Sequence, residues 1–203
     1  MNEGLQNRVT DVYFAFIPEN VRTEKVYPEQ RNEEINACAN EKLRIQKYCV
    51  WKLLERALAR SFGLDLNTLE FKKENGKWRC NGAEFSLSHS ADAVAVAVSD
   101  LSVGVDIELV RPLPCEKLAA KILTQAETEA FVRLDENAGA EYIFERWTRK
   151  ESAFKMSGGA LFSQTDADGG AFYTERIERC GRSYFLSVCG GGGGFRLTEL
   201  PII

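Results

Sequence analysis

The chain has 203 residues, 44% of them apolar and 28% charged, with a formal net charge of −4. That length allows one large domain or two small ones around a real core, and the acidic balance argues against a general nucleic-acid binder. No apolar run approaches the roughly 18 residues needed to span a bilayer. The start, MNEGLQNRVTDVYF, has acids early and lacks the basic start and long apolar run of a signal peptide, so a cytoplasmic protein is expected.

In chain order, Asp11 to Ile17 reads as an opening strand, followed by a polar stretch to Asn40. Apolar residues then recur at helical spacing from Glu41 to Phe62, and Gly63 is a natural stop. Between Lys42 and Arg60 this helix holds six basic residues and one acid, Glu55. Short strands follow at Leu69 to Lys73 and Lys77 to Cys80, flanking the turn signal Asn75-Gly76. Further strands are expected at Phe85 to His89, Ala93 to Val98 and Val103 to Glu108. Helices are expected over Cys115 to Leu123, from the capping-box pattern Thr124-Gln-Ala-Glu127 to about Leu134, and over about Glu141 to Met156. From Phe172 the tail alternates like strands, and Gly190 to Gly194 reads as a loop; no Lys-Ser/Thr follows it, so it is not a P-loop. The order predicts an α+β fold, with two similar halves meeting near residue 100. Six cysteines form no C-x-x-C pair, so reduced thiols are expected rather than a zinc site.

Three stretches carry chemistry. In the strand VGVDIE, Asp106 and Glu108 share a face with Gly104, their Cβ atoms about 7 Å apart. Two ionised carboxylates over one small space repel unless a cation lies between them, and a hard divalent ion such as Mg²⁺ takes such oxygens together with waters and phosphates. An exposed edge strand would show the same alternation. In FERWTRKESAFKM, Trp147, Glu151 and Lys155 recur every four residues and share a helical face, with Lys150 one position round. A surface ion pair accounts for part of that pattern, but not for the whole set. In FSLSHS, His89 is the chain's only histidine. A serine-hydrolase reading fails, because neighbours in a strand point to opposite faces and no G-x-S-x-G is present. A structural histidine and a hydroxyl–imidazole donor pair holding a phosphate stay open as alternatives.

Together these stretches resemble the 4′-phosphopantetheinyl transferases of the Sfp type. The family's [I/V]-G-[I/V]-D reads Val103-Gly104-Val105-Asp106 here, and its [F/W]-[S/T/C]-x-K-E-[S/A]-x-x-K reads Trp147 to Lys155. Its S-H-S is Ser88-His89-Ser90, and its preceding G-K is Gly76-Lys77. The family's G-x-G-L departs to Gly158-Gly159-Ala160-Leu161. The resemblance covers about Gly76 to Leu161.

The resemblance implies the family fold, a pseudo-twofold pair of α/β subdomains, here 1–100 and 101–203, in a monomer. It implies transfer of the phosphopantetheine arm of coenzyme A to a serine of an apo acyl or peptidyl carrier protein, releasing adenosine 3′,5′-bisphosphate. Asp106, Glu108 and Glu151 would be Mg²⁺ ligands, with Glu151 also the general base. Lys155 would neutralise the leaving phosphate, with Lys150 assisting. Ser88, His89 and Lys77 would hold coenzyme A phosphates, and Arg44 and Lys47 of the basic helix would take the 3′-phosphate. Competing readings are a coenzyme A or nucleotide pyrophosphatase with water as acceptor, and a non-catalytic module that docks carrier proteins.

Overall fold

A computed structural model describes residues 9–74, 76–112, 115–158, 170–190 and 193–202. The elements are β1 (Thr10–Phe16), α1 (Glu29–Asn36), α2 (Glu41–Phe62), a 3₁₀ turn (Leu66–Thr68), β2 (Phe71–Glu74), β3 (Lys77–Cys80), β4 (Glu84–Ser90), β5 (Ala93–Ser99), β6 (Val103–Leu109), α3 (Cys115–Ile122), α4 (Gln125–Phe131), α5 (Glu136–Met156), β7 (Ala171–Arg179), β8 (Arg182–Gly190) and β9 (Phe195–Glu199). The expected α+β class is observed. Asn75 of the hairpin signal, residues 159–161 of the departing glycine motif and residues 191–192 of the glycine loop lie outside the described residues.

Two sheets and two long helices form four layers. The first sheet has strand order β4-β5-β1-β9, and the second β6-β8-β7. One face of the first sheet, through Tyr13, Val94, Val96 and Val98, packs on the apolar stripe of α2. Its other face, through Val12, Phe14 and Ala95, meets Val105, Ile107 and Leu186 of the second sheet. Helix α5 covers the far side of the second sheet, where Thr148 Oγ1 and Ser187 Oγ share a buried hydrogen bond of 2.8 Å. Each large side chain fully buried in these layers contributes about 1.5–3 kcal/mol. The chain's end returns to its beginning, because β9 pairs in parallel with β1.

Local chemistry sets the helix limits. In α2, the Asn40 side chain accepts from Leu43 N, and Gly63 closes the helix at φ +66°. Helix α5 starts five residues before its expected beginning because the Asp135 side chain accepts from Ala138 N. The Thr124–Glu127 capping box forms as expected at α4. Helix α1 is an addition to the expected elements. Its sequence, EQRNEEIN, has no apolar stripe, and its two buried residues are Arg31 and Ile35.

The two sheets meet along β4 and β6 through side chains. Ser86, Ser88 and Ser90 share one face of β4, and their hydroxyls accept from the backbone N–H groups of Val105, Ile107 and Leu109 at 3.0–3.2 Å. Gly104 lets α5 lie on β6. A Cβ there would stand 1.8 Å from the Ser152 carbonyl oxygen and 2.5 Å from Met156 N, so this position excludes every other residue without a backbone shift.

Candidate active site

On the α5 side of β6, Asp106 is 4% exposed. Its Oδ1 accepts from Ser88 Oγ at 2.8 Å and Lys155 Nζ at 2.7 Å. Its Oδ2 is buried and has no hydrogen-bond partner among the described residues. An orphaned carboxylate oxygen in a buried position is costly unless something positive reaches it. Glu108 Oε2 accepts from Ser90 Oγ at 2.6 Å. Burial pushes the Glu108 carboxyl above the usual range, and the charge of Asp106 pushes in the same direction. Glu151, on α5, is likewise raised by burial and then by Asp106, with Lys155 opposing. Glu108 and Glu151 therefore each lie within the field of Asp106, on a strand and a helix that Gly104 brings together. Among the described residues, no group of three His, Cys, Asp or Glu side chains is drawn tightly enough to cage an ion as it stands. Instead, Lys155 is the cation at Asp106.

The other face of β4 borders a cavity of about 410 Å³, lined from five separate pieces of chain. His89 and Lys47 line it, as do Lys77 and Lys155. Two lining residues, Arg31 and Glu34 of α1, were not among the expected site residues, because α1 itself was unexpected. A helix signal was present in the glutamates and glutamine following Pro28. Arg31 is 4% exposed, donates through Nη2 to Lys47 O at 2.9 Å, and stacks over Trp51 at 4.8 Å. Burial first, and then the nearby charges of Lys155, Arg31 and Lys47, together lower the His89 pKa to about 4. A lone neutral imidazole among fixed cations is an environment for an anion.

The expected residues divide as follows. Asp106, Glu108, Glu151 and Lys155 share one neighbourhood, and Lys155 also reaches the cavity. Ser88 and His89 do not act as one donor pair: the strand period turns the Ser88 hydroxyl toward Asp106 and the His89 ring toward the cavity. Lys77 lines the cavity, but its ammonium donates to the carbonyls of Lys155 (2.9 Å) and Val103 (3.4 Å), fastening the end of α5 to the start of β6. Lys150 points away from the carboxylates. It donates to Ile122 O at the end of α3 and to Glu127 of the α4 capping box. Arg44 is not among the residues that line the cavity, whereas Lys47, one turn later, is.

A sheet-borne acid pair thus faces a glutamate–lysine helix beside a cationic cavity. Residues 102–190 match the model of the 4′-phosphopantetheinyl transferase superfamily. The chain is 26% identical over 119 residues to the 4′-phosphopantetheinyl transferase Sfp of Bacillus subtilis, covering 57% of this chain and 53% of that protein. It is 27% identical over 135 residues to psf-1 of Bacillus pumilus, covering 64% and 55%. To the transferase AcpT of Escherichia coli it is 30% identical over 108 residues, covering 52% and 55%. The chain thus spans about half the length of the curated relatives it matches.

Proposed function

We propose that the chain transfers the 4′-phosphopantetheine arm of coenzyme A to a serine of an apo acyl or peptidyl carrier protein, releasing adenosine 3′,5′-bisphosphate. The observation that carries this reading is Lys155, which lines the cationic cavity and also donates to Asp106 Oδ1. A diphosphate whose nucleotide end lies in the cavity would therefore present its scissile bond beside the carboxylates. The cavity, in 1–100 apart from the α5 residues that close it, would hold the coenzyme, and the carboxylates of 101–203 would act on it.

The acids fit a hard divalent cation. All are oxygen donors, Asp106 Oδ2 lacks a partner among the described residues, and the carboxyls of Glu108 and Glu151 are raised first by burial and in part by the charge of Asp106. In this proposal Mg²⁺ is held by Asp106, Glu108 and Glu151, and when bound it supplies charge neutralisation at the diphosphate oxygens. The side chains do the rest. Glu151, its carboxyl raised by burial, takes the proton of the carrier serine at a side-chain oxygen. Lys155 donates to the phosphate oxygen that accumulates charge as the bisphosphate leaves. Ser88 holds Asp106 and the β6 backbone in place for both. His89 and Lys47 orient the nucleotide from the cavity wall, with Lys77 fixing the end of the catalytic helix.

The free thiols Cys38, Cys49, Cys80, Cys180 and Cys189 support a reducing, cytoplasmic setting, and we propose a monomer. Among the described residues no helix is long and apolar enough to cross a membrane. The test is direct: incubate the protein with coenzyme A, Mg²⁺ and a panel of apo carriers, and weigh each carrier. A gain of one phosphopantetheine on at least one carrier is expected; unchanged masses across the panel would remove the transferase reading.

A further inference from the structure

The cationic cavity contains an anion of its own. Glu34 Oε1 lies 3.2 Å from Arg31 Nη1 and 3.4 Å from Lys47 Nζ. Its Oε2 accepts from Lys73 Nζ and from Trp78 Nε1, both at 3.0 Å. The donors come from α1, α2 and the β2–β3 hairpin, so one carboxylate joins three pieces of the cavity wall. Despite partial burial, these donors hold its pKa at about 2, so it is fully charged at neutral pH. Two oxygens each accepting from two positive or N–H donors reproduce much of what a phosphomonoester offers.

We propose that Glu34 is a built-in competitor for the phosphate that enters this cavity. It occupies Arg31 and Lys47 when the cavity is empty, and gives up those two cations to an incoming phosphomonoester while keeping Lys73 and Trp78. The inference rests on the coenzyme-binding reading above. The division of its oxygens makes the exchange feasible. Oε1 faces the donors of the two helices and Oε2 those of the hairpin, so the first pair can be lost without the second. Arg31 has capacity to spare, because its buried Nε has no partner among the described residues. The consequence is selectivity and release. Only a ligand with enough negative charge to displace a carboxylate gains from the cavity, and the returning carboxylate weakens the hold on the spent bisphosphate.

The test is calorimetric titration of adenosine 3′,5′-bisphosphate, with adenosine 5′-monophosphate as the lower-charge ligand, into wild type, Glu34→Gln and Glu34→Asp at fixed ionic strength. Glu34→Gln should bind the bisphosphate about twofold to fivefold more tightly than wild type, the range expected when a partly exposed competing charge pair is removed. The monophosphate should change less. Glu34→Asp keeps the charge but withdraws it from Arg31 and Lys47; it should move in the same direction by a smaller factor, and it serves if the glutamine variant does not fold. Wild type binding the bisphosphate while both folded variants bind it equally or more weakly would overturn the competitor and leave the coenzyme reading standing. No bisphosphate binding by wild type would overturn both.

Discussion

The carboxylate seam and the cationic cavity lie on opposite faces of β4, and they are assembled differently. The seam joins one strand to one helix, with Asp106 and Glu108 two apart on β6 and Glu151 and Lys155 four apart on α5. The cavity draws Arg31 and Glu34 from α1, Lys47 from α2, Trp78 from β3 and His89 from β4. Their charges also differ in sign, since acids crowd Asp106 in the seam while cations crowd His89 in the cavity. Lys155 belongs to both. A diphosphate ester fits this juxtaposition, because one end requires fixed positive charge and the other a cation gripped by acids.

If the seam performs the chemistry, damage there should strike turnover. Asp106→Ala and Glu151→Gln should each lower carrier loading on the order of a thousandfold, the scale of losing a group that stabilises transition-state charge. Mass spectrometry of the carrier measures the rate, and thermal unfolding verifies that each variant is folded. Rates like wild type in either would separate the seam from the reaction. The seam also depends on close backbone approach, which Gly104→Ala should break. With its new Cβ driven into the Ser152 carbonyl and Met156 N, a loss of about 3 kcal/mol in urea-unfolding free energy is expected.

The seam was legible in the sequence because its side chains obey two simple periods, two residues along a strand and four along a helix. Gly104 beside Asp106 also signalled an open face, although the sequence alone could not say that α5 fills it. Lys150 shows the limit of such reasoning. One residue round the helix from Glu151 is about 100°, enough to send its ammonium to the α3–α4 junction rather than to phosphate. The cavity was half hidden for a different reason. Helix α1 buries an arginine where an apolar residue would have revealed its period, and Arg31 and Glu34 converge with Lys47 and Trp78 only through long-range packing. The basic stripe of α2 pointed to this region, but only the helix register distinguishes Lys47 from Arg44. Ser88 was found for its neighbourhood, and its part in joining β4 to β6 depends on a pairing of sheet edges that no local pattern encodes.

Damage to the cavity should have a different kinetic signature. Lys47→Met removes one cavity cation without touching the seam. It should raise KM for coenzyme A about tenfold with kcat within a factor of two, because the contact is made equally in ground and transition states. A fall in kcat of the same size as the rise in KM would mean that the cavity shares in the chemistry, and the contrast between the two regions would fail.

The smallest effect separates the regions by the sign of their response to acid. His89 has a folded pKa of about 4 against an ordinary 6.5. Above pH 6.5 both folded and unfolded chains leave it neutral, and it contributes nothing to the pH dependence. Between 6.5 and 4 the unfolded chain takes a proton that the cavity refuses, so stability falls on acidification, by about 1 kcal/mol at pH 6. Glu34 adds to that loss in a lower window: its folded pKa of about 2 lies below the usual 4.5, so its contribution is complete above 4.5 and is lost as pH falls toward 2. The seam runs the other way. The raised carboxyls of Glu108 and Glu151 take protons more readily in the folded chain than in the unfolded one, so acidification relieves them. Urea midpoints measured from pH 5 to 7 in metal-free buffer should therefore fall with acid in wild type and flatten in His89→Gln, whose seam is untouched. An unchanged slope in His89→Gln would mean that the cavity does not hold the imidazole's pKa down.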